Sequence, residues 1–286
     1  MIIYEGQKIE NGIFPNKETY VDIPHPYPDS MLKEKSDHEL DVAEVTMIFE
    51  GNDDLINLML LKRALDDQGV KIKVDLFAPF FPYMTMDRTE DTRALSCKYI
   101  SEFVNRLGFR TVTIWEAHSP VVLATLDRVI NANGITIQIA YSAMEQNNLD
   151  EQNALIVFPD DGAAKRYEKA FKGFKTVTVE KKRDFETGKI IDSKIAHGAE
   201  YIQPGMTAVI VDDLCRGGWT FMNAAKLLKA QGLDKVILCV THAEEGMFKG
   251  EMYNSGIVDL IYTTDTCCSA REDPRVHFES KVRVYE

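Results

Sequence analysis

The stretch Val209-Ile-Val-Asp-Asp-Leu-Cys-Arg-Gly-Gly-Trp-Thr-Phe221 decides the fold of this chain. It begins with apolar residues typical of a buried strand, continues through two carboxylates and a glycine turn, and ends in a helical pattern. Ligands of open α/β sheets bind at the carboxyl ends of the strands. We therefore expect Asp212 and Asp213 to lie at such an end and to accept hydrogen bonds from the vicinal hydroxyls of a ribose.

The glycine turn after these carboxylates is suited to a phosphate. Gly217 and Gly218 let backbone N–H groups approach an anion, Thr220 adds a hydroxyl, and a helix beginning near Phe221 directs its positive end at the charge. A plain acidic turn between a core strand and a helix is the alternative. Adjacent carboxylates raise each other's pKa unless hydroxyls, a metal or cations compensate, so we favour a site for a phosphorylated ribose.

The composition is that of a globular protein large enough for two α/β domains. The chain has 286 residues, of which 45% are apolar and 27% charged. Its net charge of −12 argues against nucleic-acid binding, and a phosphorylated substrate would need local Lys and Arg with a divalent cation. No apolar run approaches the roughly 18 residues of a membrane helix, and the five cysteines lack zinc spacing. We expect a cytoplasmic protein with reduced cysteines and no membrane partner.

Strand and helix patterns alternate along both halves, which predicts an α/β protein with parallel sheets flanked by helices. In the first half the predicted strands are Val45–Phe49, Lys71–Ala78 and Thr111–Trp115, and the helices are Asp53–Gln68 and Arg93–Leu107. In the second half the strands are Asn153–Phe158, Thr176–Val179, Val209–Val211 and Val236–Val240, and the helices are Gly162–Phe171 and Ala224–Gly232. We place the boundary within Tyr141–Leu149, which gives domains of residues 1–145 and 146–286.

A basic segment, Lys181-Lys-Arg-Asp-Phe-Glu-Thr-Gly-Lys189, interrupts this alternation. It fits a solvated hairpin, and it equally fits a mobile loop that closes on phosphates. A concentration of positive charge in an acidic protein is what a phosphorylated substrate requires.

Seven sequence blocks, in order, resemble the ribose-phosphate pyrophosphokinases, also called phosphoribosyl pyrophosphate synthetases. Each block is similar to a family motif: Phe14-Pro-Asn-Lys-Glu18 to F-x-D-G-E, Pro82-Tyr83 with Asp87-Arg88 to P-Y-x-R-Q-D-R, Glu116-Ala-His118 to D-L-H, Pro159-Asp160-Asp161-Gly162 with Lys165-Arg166 to P-D-x-G-x-x-K-R, Lys181-Lys-Arg183 to K-R-R, Asp212 through Thr220 to D-D-x-x-D-T-G-G-T, and Thr241-His242 to T-H. Each motif is weak alone, but their common order indicates homology.

The resemblance implies transfer of the β,γ-diphosphate of ATP to the anomeric hydroxyl of a ribose 5-phosphate unit, with release of AMP. Attack at phosphorus spreads negative charge over oxygens, which positioned cations stabilise. Lys181 and Arg183 are the expected catalytic cations. His118 is expected at a phosphate or at Mg²⁺, with Asp160 and Asp127 as further metal ligands. For His118 alone, a strand-end histidine satisfied by the backbone is the alternative.

The resemblance also implies two phosphoribosyltransferase-like domains, with ATP on the 1–145 side and the ribose phosphate on the 146–286 side. Phe14 would stack on adenine, Asn16 and Glu18 would meet its polar edge, and Asp87 and Arg88 belong to the same ATP site. Because the family's Phe14-type hairpin serves a neighbouring subunit, a homo-oligomer is expected, either a dimer or a hexamer.

The chain departs from the family pattern at three places. Thr85 and Met86 replace the family's Arg and Gln, and Asn16-Lys17 replace Asp-Gly in the adenine motif. In the phosphate turn, Arg216-Gly217-Gly218-Trp219-Thr220 stands where D-T-G-G-T is expected.

These changes in the phosphate turn leave two acceptors open. Trp219 either turns outward or offers a stacking plane to a base, and Arg216 then faces a second phosphate. ADP-ribose has both a base and a second phosphate. Phage-type relatives, the ADP-ribose pyrophosphate synthetases of NAD salvage, use it as the acceptor. Ribose 5-phosphate, used in nucleotide biosynthesis, is the acceptor of the wider family and is preferred.

Two other functional classes share part of this pattern. A phosphoribosyltransferase would share Asp212 and Asp213 but would need no second domain carrying Phe14 and His118. A non-catalytic regulatory paralogue is the stronger alternative, although retention of the catalytic cations and of both aspartates argues against it.

Overall fold

The chain is described by a computed structural model that covers residues 1–22, 42–67, 73–89, 92–183, 190–280 and 282, with the backbone alone at 181–183 and 190–192. Its contacts form two compact units, Met1–Asn133 and Gly134–Val282. Each unit is a sheet of mostly parallel strands with helices, which confirms the predicted α/β class. Among the described helices, none has the length and apolar character needed to cross a membrane.

The N-terminal unit has a six-stranded sheet in the order β2-β1-β5-β6-β7-β8, parallel from β5 to β8. Its strands are β1 (Ile2–Tyr4), β2 (Gln7–Lys8), β5 (Val42–Met47), β6 (Lys73–Phe77), β7 (Val112–Trp115) and β8 (Val129–Ala132). A separate hairpin consists of β3 (Asn11–Ile13) and β4 (Thr19–Val21). The helices are α1 (Asp53–Asp67), α2 (Ser96–Leu107) and α3 (Pro120–Thr125).

The C-terminal unit has a seven-stranded sheet in the order β11-β10-β9-β12-β13-β14-β15, parallel except for β11. Its strands are β9 (Ala154–Phe158), β10 (Lys175–Arg183), β11 (Ile190–His197), β12 (Thr207–Cys215), β13 (Lys235–Ala243), β14 (Leu260–Thr264) and β15 (Val276–Ser280). The helices are α4 (Ile135–Gln146), α5 (Asp161–Tyr167), α6 (Trp219–Ala230) and α7 (Glu251–Ser255).

The apolar run before Asp212 forms a strand that is buried on both faces. Ala208 and Ile210 pack in one hydrophobic cluster with α6, whereas Val209 and Val211 pack in another with α4 and α5. Because side chains alternate along a strand, a strand covered on both faces is apolar at every position. This double burial fixes β12 at the centre of its sheet and carries Asp212 to the carboxyl edge.

The contacts place the boundary between the units at Asn133/Gly134, ahead of the predicted cut within Tyr141–Leu149. The predicted cut falls on α4, a helix that the sequence analysis missed. Ile139, Ala140, Ala143 and Met144 bury one side of α4 in the second cluster of the C-terminal sheet. That burial assigns the whole helix to the C-terminal unit.

Several short elements were also missed. The β3–β4 hairpin and β15 were not predicted, because strands of three to five residues give little periodicity. The predicted helix Gly162–Phe171 is divided into α5 and a turn of 3-10 helix at Glu168–Phe171.

Candidate active site

Asp212 and Asp213 lie side by side at the carboxyl end of β12. The Asp213 side chain is buried, Asp212 is half-buried, and the Asp213 N–H donates a hydrogen bond to Asp212 Oδ1 at 2.9 Å. Burial, the charge of Asp213 and that of Asp160 raise the pKa of Asp212 well above its ordinary value. Since these effects disfavour a bare carboxylate, Asp212 is suited to hydroxyl donors or to a cation.

Arg166 from α5 compensates the second carboxylate. Its Nη1 atom lies 3.0 Å from Asp213 Oδ2, with the two side chains 30% and 4% exposed. Burial opposes the charged guanidinium, but the charge of Asp213, the interaction with Tyr167 and the hydrogen bonds to both residues together outweigh it and raise the pKa of Arg166. Arg166, noted in the sequence only as part of a motif, therefore compensates one of the two adjacent carboxylates.

The turn after β12 has the backbone that a close approach to an anion requires. Gly218 has φ of 79°, and a Cβ atom there would lie 2.8 Å from the Met252 side chain, whereas a Cβ at Gly217 would meet open space. Gly218 directly precedes α6, and no side-chain hydrogen bond caps this helix end. The first N–H groups of α6 thus depend on another partner, such as an anion. Trp219 is 53% exposed at the first helical position, and Thr220 is half-buried.

A second loop supports this turn. The Glu244 N–H donates to the Cys215 carbonyl at 2.8 Å, and Arg216 Nε donates to Glu244 Oε1 at 3.1 Å. Cβ atoms added at Gly246 and Gly250 would lie 3.3 and 2.5 Å from the carbonyl oxygens of Arg216 and Gly217. Glu244 was missed by the sequence analysis, and nothing in its local sequence marks it.

Asp160 follows β9, so it lies at the same sheet edge as Asp212. Its carboxylate caps α5 by accepting from the Ala163 N–H at 3.0 Å, and its charge acts on Asp212. Asp160 was predicted as a metal ligand, yet the part of the chain with defined placement contains no group of three His, Cys, Asp or Glu residues that could hold a metal. Asp160 therefore has a structural role in α5 in the described residues, and its role as a metal ligand stays a prediction.

His118 lies half-buried in the turn after β7. Within this turn Glu116 has φ of 43°, and the Ala117 N–H donates to Asn131 Oδ1 at 3.0 Å. Asn131, on the neighbouring strand β8, was missed by the sequence analysis.

The structure corrects the pairing of Asp127 with His118. Asp127 precedes β8, which runs parallel to β7, so it lies at the opposite sheet edge from the turn after β7. Its N–H donates to Asn105 Oδ1 at 2.8 Å. The reason is that α3, with only six residues, returns the chain to the amino edge before Asp127.

Lys181 and Arg183 have side chains outside the described residues. Their backbone belongs to β10, where they pair with Ser193 and Ile190 of β11. The backbone up to Arg183 therefore forms one strand of a hairpin, which is one of the two structures expected for this basic segment. Because β10 runs parallel to β9, Lys181 lies at the same sheet edge as Asp160.

The predicted ATP residues lie on two segments of the N-terminal unit. Phe14, Asn16 and Glu18 form the tip of the β3–β4 hairpin, where Phe14 is 50% exposed and Asn16 Nδ2 donates to Glu18 Oε2 at 2.8 Å. Asp87 and Arg88 follow β6, with Asp87 largely buried and Arg88 exposed.

Both ATP segments contact the beginning of α1. Thr19 Oγ1 of the hairpin donates to Asn57 Oδ1 at 2.7 Å, and the Tyr83 hydroxyl of the loop after β6 donates to Asn52 Oδ1 at 2.6 Å, just before this helix. The N-terminal unit therefore brings the two predicted segments toward one helix end.

The T-H block is structural. Thr241 and His242 are fully buried, with Thr241 Oγ1 2.7 Å from Thr136 Oγ1 and His242 Nδ1 2.8 Å from Thr266 Oγ1. These hydrogen bonds satisfy polar groups beneath the carboxyl edge.

Comparison with known proteins gives one consistent result. A ribose-phosphate pyrophosphokinase of Saccharolobus solfataricus is 28% identical over 262 residues, covering 90% of this chain and 84% of the relative. The Aquifex aeolicus ribose-phosphate pyrophosphokinase is 30% identical over 219 residues, covering 74% and 67%. The crystal structure of phosphoribosylpyrophosphate synthetase from Mycobacterium smegmatis matches with a TM-score of 0.70 and 16% identity, covering 96% and 86%, and supports the fold.

No family model matches the chain. The identity to the Aquifex relative, over most of both chains, nevertheless agrees with the motif order and with the two α/β units. The chain therefore belongs to the ribose-phosphate pyrophosphokinase family of diphosphotransferase enzymes.

Proposed function

We propose that the protein transfers the β,γ-diphosphate of ATP to the anomeric hydroxyl of ribose 5-phosphate, forming phosphoribosyl pyrophosphate and AMP. The observation that carries this proposal is the cluster of Asp212, Asp213 and Asp160 at the sheet edge beside the glycine turn, in which Arg166 pairs with Asp213. Such a cluster offers carboxylate acceptors for ribose hydroxyls beside the uncapped beginning of α6 for the 5-phosphate.

In the proposed reaction, the anomeric hydroxyl loses its proton to water and its oxygen bonds to the β-phosphorus of ATP. The bond from this phosphorus to the oxygen shared with the α-phosphate breaks, and AMP leaves with that oxygen. Asp212 orients the sugar, the beginning of α6 holds its phosphate, and Lys181 and Arg183 stabilise the charge on the transferred group. Mg²⁺, arriving with ATP, supplies further charge neutralisation. Phe14, Asn16, Glu18, Asp87 and Arg88 are proposed to hold ATP, and His118 to contact its phosphates.

We also propose that the protein is a cytoplasmic homo-oligomer. Ile13 and Phe14 at the hairpin tip are 59% and 50% exposed, as expected of side chains that meet a neighbouring subunit. The family resemblance, not the single chain, supplies the remaining support for this assembly.

The test is nucleotide analysis of a reaction with ATP, Mg²⁺ and ribose 5-phosphate. We expect one AMP for each phosphoribosyl pyrophosphate, both absent when the sugar is omitted. If no AMP forms with ribose 5-phosphate or with ADP-ribose, the proposed reaction is refuted and the regulatory-paralogue alternative stands.

ADP-ribose is the second candidate acceptor, and the exposed indole of Trp219 favours it. A flat aromatic surface beside the phosphate turn can stack on adenine, a contact that ribose 5-phosphate cannot make. If it does, Trp219→Ala should lower kcat/KM for ADP-ribose about tenfold and that for ribose 5-phosphate less than about twofold. Equal losses with the two acceptors in the same AMP assay would exclude stacking on adenine.

A further inference from the structure

We infer that Glu244 is a positioning residue that holds Arg216 over the ribose-phosphate turn, where Arg216 binds the acceptor phosphate. This inference rests on the proposed function and deepens it. Arg216 occupies a position where the family motif has an acidic residue, so a cation has entered the turn. The structure places a carboxylate from the next strand on that cation, with Arg216 Nε 3.1 Å from Glu244 Oε1.

The backbone fixes this carboxylate relative to the turn. Cys215 and Ala243 are register partners in the parallel pair β12–β13, so Arg216 and Glu244 leave the two strands side by side. The Glu244 N–H is held by the Cys215 carbonyl at 2.8 Å. This hydrogen bond ties the Glu244 backbone to the residue that directly precedes Arg216.

The segment after Glu244 packs closely on the turn at its two glycines, Gly246 and Gly250. A Cβ atom at Gly250 would lie 2.5 Å from the Gly217 carbonyl oxygen, well inside van der Waals contact, and one at Gly246 would lie 3.3 Å from that of Arg216. Residues 244–250 therefore form a floor under the turn. Arg216 and Glu244 are 54% and 34% exposed at its edge, where an acceptor can reach them.

The ion pair is too exposed to contribute much to folding, which points to a role in binding. An unrestrained arginine loses much rotamer freedom when it binds a phosphate, and a fixed arginine has already lost it. The contact with Glu244 uses Nε, one of the five N–H donors of the guanidinium. Bidentate binding of a phosphate uses the two terminal nitrogens, Nη1 and Nη2. Glu244 therefore presents Arg216 in a binding orientation.

A repulsive role for Glu244 predicts the opposite result, because its charge lies close to the bound phosphate. If repulsion outweighed positioning, removal of the carboxylate would strengthen acceptor binding. The direction of the change in KM thus distinguishes the two roles.

The experiment measures KM and kcat for ribose 5-phosphate in the AMP assay for Glu244→Ala, Glu244→Gln, Arg216→Ala and the double Ala variant. We expect Glu244→Ala to raise KM about three- to tenfold with kcat within about twofold, because only binding depends on the orientation of Arg216. Glu244→Gln retains an oxygen for Nε and should recover most of the affinity. In the Arg216→Ala background, loss of Glu244 should have no further effect.

The matched control is Glu251→Ala, which removes a carboxylate paired with Lys226 on α6 at 3.5 Å, and KM should not change. A lower KM for Glu244→Ala, or the same rise in KM without Arg216, would overturn the inference. Calorimetric titration of ribose 5-phosphate into the protein, with Mg²⁺ but without ATP, measures acceptor binding without turnover. It separates the positioning role of Glu244 from the proposed reaction. Wild-type binding that weakens in Glu244→Ala supports the positioning role even if no AMP forms, whereas equal affinities refute it.

Discussion

Asp212→Asn should produce a protein that is more stable than the wild type and less active toward the acceptor. Burial and the charges of Asp213 and Asp160 raise the pKa of Asp212, so its ionised form costs folding free energy at neutral pH. Asparagine removes that charge and keeps an oxygen for the Asp213 N–H. We expect the free energy of unfolding to rise by roughly 1 kcal/mol at pH 7, and kcat/KM for the acceptor to fall about 10- to 100-fold with the loss of a charged hydrogen-bond acceptor.

The pH dependence of the added stability of Asp212→Asn follows from the raised pKa of Asp212 in the wild type. A carboxyl group whose pKa is raised by folding stabilises the fold when protonated and loses that contribution as pH rises through the folded pKa. The stability of Asp212→Asn should therefore exceed that of the wild type at pH 7, and the difference should narrow toward pH 4. Urea denaturation at both pH values measures it.

Asp213→Asn is the matched comparison, because it changes the adjacent carboxylate in the same way. Asp213 is paired with Arg166 at 3.0 Å, so its neutralisation leaves a partly buried guanidinium without that charge. Removing one partner of a buried pair is destabilising, and with Arg166 30% exposed we expect a loss of about 2 kcal/mol. If both variants lost stability equally, the different electrostatic environments assigned to these neighbours would be wrong.

Lys181→Ala should lower kcat about 100- to 1,000-fold and leave the urea midpoint unchanged. The resemblance assigns Lys181 to stabilising the transferred diphosphate, and loss of one such group commonly has an effect of this size. Its backbone lies at the carboxyl edge of β10, the edge that also carries Asp160 and Asp212. The measurement is single-turnover AMP formation at saturating ATP.

Lys194→Ala is the control for charge and position on the same hairpin. Lys194 is 67% exposed and pairs with Glu180 at 3.0 Å, which is a surface contact of little energetic value. Its rate should stay within about twofold of the wild type. Similar losses in Lys181→Ala and Lys194→Ala would indicate a general effect of basic charge and remove the specific role of Lys181.

The strand, turn and helix from Val209 to Phe221 were predictable because each step has a strong local signal. An unbroken apolar run forms a doubly covered strand, and adjacent glycines permit the positive φ at Gly218. The helix α4 was missed although its apolar residues recur at helical spacing, and the predicted boundary cut through it.

Contacts between distant segments were not predictable in the same way. Arg166 on Asp213 and Glu244 on Arg216 depend on which strands are neighbours in the sheet, and that order is set by the whole unit. For Asp127, the sequence predicted a contact with His118 that the fold does not make. Its spacing from His118 matched that of relatives, but spacing does not reveal at which sheet edge a short helix returns the chain.

The floor formed by residues 244–250 means that the ribose-phosphate turn cannot be grafted alone between relatives. A donor turn with the family's aspartate at position 216 would set two acids against each other at Glu244, and any side chain on the floor at position 250 would displace the backbone at Gly217. Turn and floor therefore have to be inherited, or exchanged in a chimera, as one piece.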